Sequence, residues 1–432
     1  MRNLFKHYLF LIVSIVIVFM SIIGLANWLI DPYWIYRNVE ITGINKIKPM
    51  FRTHVRMAKA NLVNKIKPKG IILGSSRSGY GIDPTHPGWT TSSVYNLSLP
   101  GTTIYELMRY FQHATVDGSV KEVVLALDFF MFNGQRKFES DFKENRLNAD
   151  VNGNYNFSSG FADIGATLFS IDSLKASYRT LYSQNEENMF LDNGQRSWTS
   201  YMEKIEKVGG IRNMFHKVER EYLSDHWWFS SCNRYEFHES ETNKSTFRYL
   251  RTIISEAHKK NIRLHLLISP NHARFLEVIH AAGLWSIYEE WKRQLLFTVI
   301  DESKKSGKQE FRLWDFSGYN KYNVEKVPLK SEKNKNMRFY WEPSHYKAEL
   351  GTIILDRVFS SNHFSNTERI EFGNILSKQN IELHLDNISK NRSFYQKNNK
   401  ADILEIISMA ESTKDWRSKE KCKQLIQKGL HP

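Results

Sequence analysis

Gly70-Ile71-Ile72-Leu73-Gly74-Ser75-Ser76-Arg77 is an unbroken apolar run that ends directly in a glycine and two serines. Nothing in it alternates between polar and apolar. A strand of this kind is covered on both faces, as in a parallel sheet packed between helices. In such sheets ligands bind beyond the carboxyl ends of the strands. A serine at a tight strand-to-helix turn there lifts its hydroxyl above the sheet edge, and the helix N-terminus behind it favours developing negative charge. The plainer alternative is that Ser75 and Ser76 only cap the next helix.

Four further short runs of the same type follow: Ser93 to Leu97, Glu122 to Phe130, Ile262 to Ser269 and Phe311 to Phe316. Helical spacing of apolar residues separates them, over Thr103 to Ala114, Thr246 to His258 and Ala273 to Phe297. The expectation is an α/β three-layer sandwich around a mainly parallel five-stranded sheet, flavodoxin-like in class. Residues 134–245 interrupt the rhythm, being far longer than a crossover needs. They hold aromatic clusters at Trp227, Trp228, Phe229 and Tyr235. They read as a helical insertion, either roofing the sheet's carboxyl edge or packing its own aromatics. Beyond Phe359 the chain turns polar and helical with mixed charge, so 361–432 reads as a tail and 69–360 as the main domain.

The net charge of +14 is uneven. Residues 1–69 carry eleven Lys/Arg and two Asp/Glu, a local excess of +9. This excess flanks an uncharged run of 23 residues, Tyr8 to Ile30. As a helix that run reaches ~34 Å, enough to cross a bilayer core. Trp28, Tyr33, Trp34 and Tyr36 follow as an interfacial belt would. Residues 1–33 therefore read as a cytoplasmic N-terminus and membrane anchor, and 34–68 as a basic linker suited to anionic headgroups. Gly24-Leu25-Ala26 offers the competing reading of a cleaved signal peptide, but the apolar run is longer than such segments use. No nucleic-acid motif accompanies the charge. Cys232 and Cys422 are free thiols or one bridge; they have no metal-binding spacing.

Near the far end, Tyr340-Trp341-Glu342-Pro343-Ser344-His345-Tyr346 follows the fifth run and leads into a helical stretch ending near Gly351. A nucleophilic serine needs an imidazole to take its proton, and the imidazole needs a carboxylate to set its tautomer. Glu342 and His345, three residues apart, can face one side of a turn. Taken singly, Glu342 reads as a helix-start carboxylate and His345 as a packing histidine.

In order and spacing these blocks resemble the SGNH/GDSL hydrolase superfamily. Gly74-Ser75-Ser76 is similar to its first block, with Ser75 in place of an aspartate. Glu342-Pro343-Ser344-His345 is similar to its last, with glutamate in place of aspartate. Gly101 stands where the second block supplies an oxyanion-hole amide. The third block, Gly-x-Asn-Asp, is not met: the chain reads Leu127-Asp128-Phe129-Phe130-Met131-Phe132-Asn133. The resemblance implies Ser76, His345 and Glu342 as catalytic residues, and Ser76, Gly101 and Asn133 as the oxyanion hole. Ser75, Arg77, Asp128 and His272 stand as candidates for substrate contact at the same sheet edge. For Asp128 a structural role is the alternative, and for His272 a helix cap. The Gly-Ser-Ser form and the anchor resemble membrane-bound proteins of teichoic-acid D-alanylation and alginate O-acetylation. They imply a single-pass protein of a bacterial inner membrane with a periplasmic serine esterase or acyltransferase domain. Its substrate would be an envelope or exported glycan, with a membrane acyl-donor protein as a partner. No cofactor or metal is expected. The alternatives are an esterase of membrane lipid or lipoprotein, and a glycan-binding assembly protein without activity.

Overall fold

The computed structural model describes residues 2–36, 38–157, 159–226, 235–333, 335–360 and 371–427. Trp227, Trp228, Phe229 and Cys232 lie outside the described residues, and so does the side chain of Cys422. In chain order the elements begin with α1 (Arg2–Ile30), α2 (Val55–Ile66), β1 (Gly70–Leu73), α3 (Ser76–Gly81), β2 (Val94–Asn96), α4 (Ile104–Thr115) and β3 (Glu122–Leu127). The long middle segment holds α5 (Ser159–Leu168), α6 (Ile171–Tyr182), α7 (Thr199–Lys207) and α8 (Ile211–Glu221). Then come α9 (Phe247–Lys259), β4 (Arg263–Ile268), α10 (Ala273–Ala281), α11 (Trp285–Lys305), β5 (Leu313–Asp315), α12 (Ala348–Val358), β6 (Asn374–Ile375), α13 (Ile381–Asn398) and α14 (Lys400–Gln427).

Two compact units emerge. The first holds residues 1–67, 112–117 and 140–191; the second holds 68–111, 118–139 and 192–432. The segment expected to be one insertion is thus divided, its first helices belonging with the N-terminal unit and its later ones with the sheet.

The second unit is built on the sheet, of order β2-β1-β3-β4-β5-β6. The first five strands are parallel, and β6 pairs antiparallel with β5 through Trp314 and Asp315. The five-stranded expectation is corrected by this sixth strand. It has only two residues, both exposed, and so carries no apolar period. Every residue of β1 and β3 is buried, which is why they read as continuous apolar runs. One face packs Ile72, Val124, Ala126, Leu267 and Trp314 against α12, α7 and α8 through Ile353, Ile354, Tyr201, Met214 and Phe215. The order in which strands are added reverses between β1 and β3, the switch point of a doubly wound sheet. Ser76 follows one of these strands and Asp128 the other. Gly351 is not a helix end. It lies inside α12, where a Cβ would stand 1.6 Å from the Gly81 carbonyl oxygen, so glycine is required for α12 to pack on α3. The tail is packed: Asp402 and Glu405 of α14 pair with Arg274 of α10 and Arg212 of α8.

In the first unit, α1 is long and apolar enough to cross a membrane and is mostly exposed along its length. Its C-terminal end packs against α5 and α6. Asn27, buried, donates to the Leu168 carbonyl at 2.8 Å and accepts from Ser177 Oγ at 2.9 Å.

Candidate active site

Ser76 opens α3 directly after β1. Ser75 is the residue that caps this helix, its Oγ accepting from the Arg77 N–H at 3.1 Å. Along Ile71–Tyr80 only Ser76 escapes full burial. The capping alternative therefore applies to Ser75, and the hydroxyl of Ser76 is left to project.

Residues Tyr340 to Tyr346 form a tight loop rather than a helical turn. Tyr340 and Tyr346 pair across it, and the Trp341 N–H donates to the His345 carbonyl at 3.0 Å. The His272 N–H, just beyond β4, donates to the Pro343 carbonyl at 3.0 Å, which docks the loop at the sheet's carboxyl edge. The loop brings His345 Nε2 to 2.7 Å from Ser76 Oγ. On the other side of the ring, Nδ1 meets Glu342 Oε1. Glu342 is fully buried, and it accepts from the Ser344 N–H at 2.8 Å and the Ser344 hydroxyl at 2.9 Å.

Burial opposes the charge on Glu342, but His345 and the two Ser344 donors outweigh it, and its pKa lies below the ordinary carboxylate value. An ionised carboxylate can only accept, so Nδ1 of His345 carries the proton and Nε2 is left to accept from Ser76. The walls of this pocket are aromatic. Tyr80 stands edge-on to the His345 ring at 5.4 Å and Tyr201 lies 5.7 Å away. Burial first, and then the Glu342 charge, holds the Tyr201 phenol well above its usual pKa. Trp341 packs on Tyr201 and lies parallel to Trp198, with ring centroids 6.4 Å apart. Trp341 adjoins the motif and could have been singled out from it. Tyr80 lies in α3, four residues past Ser76; Tyr201 and Trp198 are distant in sequence and carry no local signal.

Gly101 reaches the same edge from β2. The Leu99 N–H donates to the Gly74 carbonyl at 2.9 Å, so the chain passes the serine turn just before Pro100 and Gly101. Gly101 has φ +64° and its carbonyl accepts from Arg136 at 2.8 Å. Asn133 is not joined by a hydrogen bond to Ser76, Gly101 or His345 among the described residues. Its amide oxygen accepts from the N–H groups of Gln135 at 3.1 Å and Glu236 at 3.4 Å, which makes it a turn former.

The four candidates for substrate contact are occupied inside the protein. Ser75 donates to Asp128 Oδ2 at 2.6 Å, and Arg77 pairs with Asp128 Oδ1 at 2.9 Å. All three are at most 2% exposed. Burial opposes the Arg77 charge, but Asp128 and then Tyr222 reverse the effect and raise its pKa. Rings of Phe130 and Phe275 flank the guanidinium at 5.1 and 4.8 Å. His272 caps α10, with Nδ1 accepting from the Arg274 N–H at 3.2 Å and Nε2 donating to the Glu325 carbonyl at 2.6 Å. Its expected contact with substrate gives way to the cap. These residues brace the edge on which Ser76 stands rather than line it.

Of the insertion's described aromatics, Tyr235 stacks on Phe129 at 4.2 Å and donates to its carbonyl, covering the end of β3. Among known proteins, the chain matches no family model and no curated sequence.

Proposed function

We propose that the protein is a membrane-anchored serine acyltransferase or esterase acting on acyl esters of an extracytoplasmic glycan. The observation that carries this reading is the Ser76–His345–Glu342 relay, with its 2.7 Å serine–imidazole contact and its buried carboxylate. Ser76 Oγ attacks the acyl carbonyl carbon while His345 Nε2 takes the hydroxyl proton. Glu342 keeps Nδ1 protonated and steadies the imidazolium that forms. The backbone N–H groups of Ser76 and Gly101 are the donors for the tetrahedral oxyanion. Collapse of that intermediate breaks the ester bond, and His345 returns its proton to the departing alcohol. The acyl-Ser76 ester is then resolved by a second hydroxyl, from water or from a sugar. The exposed Trp198 beside Trp341 favours a glycan, because a flat indole face accepts the C–H groups of a pyranose ring.

A fluorophosphonate probe on the full-length protein tests the nucleophile. Labelling that survives in His345-bearing wild type and vanishes in Ser76→Ala is the expected result. Equal labelling of wild type and Ser76→Ala removes Ser76 from the role. No labelling of folded wild type supports the assembly-protein alternative.

A further inference from the structure

The surface of α6 is arranged inversely to that of a helix in a water-soluble fold. Its buried positions are Ser173, Ala176, Ser177 and Thr180, at helical spacing and all small. Its exposed positions include Ile171, Leu174, Tyr178, Leu181 and Tyr182, with Tyr178 62% and Tyr182 72% exposed. A soluble helix turns large apolar residues inward and polar ones outward. Small residues on the packed side, with polar groups bonding between helices, characterise helices that meet within a membrane.

That small-residue face meets α1 and, at Ala176, also packs with Tyr33, Ile35 and Met57. Asn27 of α1 bonds to Ser177 and to the carbonyls of Leu168 and Ser170. The turn between α5 and α6 reaches further down α1. Phe169 lies against Gly24, where a Cβ would meet the ring at 2.9 Å, and it is still 47% exposed. Gly24 is six residues before the end of α1. At the helical rise this puts the turn about 9 Å below that end. Phe169 thus carries exposed apolar surface from α1 to the start of α6 at Ile171. Asp172, Lys175 and Arg179 form the adjoining stripe and are exposed. A charged stripe beside an apolar one is the pattern of a helix at a headgroup boundary.

We infer that the α5–α6 hairpin is a second membrane element, with Phe169, Ile171, Leu174, Tyr178 and Tyr182 immersed in lipid at the outer end of α1. The inference rests on reading α1 as the membrane span. The occupant of this face is the bilayer itself, because the hairpin extends a surface that the span already presents to lipid. Lys175 and Arg179 then meet anionic headgroups.

The test uses the full-length chain with Cys232→Ser and Cys422→Ser, in nanodiscs of phosphatidylethanolamine and phosphatidylglycerol. Single nitroxide labels are placed at Val16→Cys in α1, at Leu174→Cys and Tyr178→Cys in α6, and at Lys304→Cys in the sheet unit. Collision with oxygen is compared with collision with a water-soluble nickel chelate. The inference expects oxygen-to-nickel ratios at 174 and 178 severalfold above that at 304 and in the direction of that at 16. Nickel-rich labels at 174 and 178 beside an oxygen-rich label at 16 overturn the inference and leave the anchor standing. A nickel-rich label at 16 overturns both. Labels at 174 and 178 that are immobilised and reached by neither reagent show a protein covering the face, and overturn the lipid assignment.

Discussion

The hydroxyl of Ser75 donates to Asp128 at 2.6 Å, and so ties the turn that bears Ser76 to the end of the neighbouring central strand. Asp128 has a second duty. Its other oxygen holds the buried guanidinium of Arg77 at 2.9 Å. The acid thus neutralises a charge in the core and pins the serine turn with the same carboxylate. Replacing it by alanine strands Arg77 with no counter-charge. A buried pair broken on one side costs about 3–5 kcal/mol. Asp128→Ala should therefore lower the thermal unfolding midpoint of the detergent-solubilised protein steeply. Arg77→Met added to it should restore much of the loss, because no charge is then left buried. A midpoint for Asp128→Ala equal to wild type, read by circular dichroism, would contradict the role assigned to the pair.

His272 makes stability depend on pH. Burial, more than any other influence, pushes its pKa down from 6.5 to about 4. Between those values the unfolded chain binds a proton that the folded chain refuses. Stability contributed by the neutral ring is complete above about 6.5 and is lost as pH falls toward 4, by up to about 1.4 kcal/mol per unit. Asparagine at 272 keeps an oxygen to cap α10 but does not titrate. His272→Asn should lose less stability than wild type on acidification from pH 7 to 4. Urea unfolding at several pH values gives the comparison, and parallel losses in both proteins would refute it.

The parts of this architecture that depend on local pattern are visible in the chain. Continuous apolar runs mark β1 and β3 because both faces of those strands are covered. Four residues with two acceptable serines mark the turn at Ser76, and the Glu342-x-x-His345 spacing survives as a tight loop. What fails to show is which polar side chains face a cleft. Ser75, Arg77 and Asp128 look like site residues in sequence because they sit at the right strand ends. Their burial is created by Phe130, Tyr222 and Phe275, which arrive from three different segments. The same holds for His272, whose acceptor Glu325 lies far along the chain. The strand at Asn374 and Ile375 is too short and too exposed to have any period. The division of residues 134–245 between two units depends on small buried faces, such as Ser173 and Ser177, that resemble ordinary polar surface.

Glu342 can be tested apart from folding. Glutamine is nearly isosteric, and its amide can still accept from Ser344. It cannot hold His345 Nδ1–H with a full negative charge, and it can present an N–H that selects the wrong tautomer. Loss of this function in a serine–histidine–carboxylate relay costs ~10⁴ in turnover. Glu342→Gln should show that collapse on a model acyl ester with an unfolding midpoint close to wild type. Near-normal turnover alongside an inactive His345→Ala would leave a serine–histidine dyad, with the buried carboxylate serving only the loop.

Trp198 separates a glycan substrate from a lipid one. Its ring is 58% exposed and parallel to that of Trp341 within 8°. Trp341 is itself 8% exposed, with Lys347 over its ring at 4.1 Å. On the glycan reading, the buried ring would serve as backing and the exposed one as a platform. Removal of Trp198 takes away no partner of Ser76, His345 or Glu342, so the chemistry of a small activated ester should be untouched. A sugar that rests on the indole would lose its orientation before the serine attacks. Trp198→Ala should therefore raise KM for an acylated oligosaccharide about tenfold, the size expected for one aromatic contact of ~1.4 kcal/mol. kcat on p-nitrophenyl acetate should stay within about twofold, a change of only about 0.4 kcal/mol. Trp198→Phe should recover much of the affinity, because a ring face remains. If Trp198→Ala instead leaves the oligosaccharide kinetics unchanged and weakens hydrolysis of a short-chain phospholipid, the site is a lipid esterase and the indole belongs to the acyl chain.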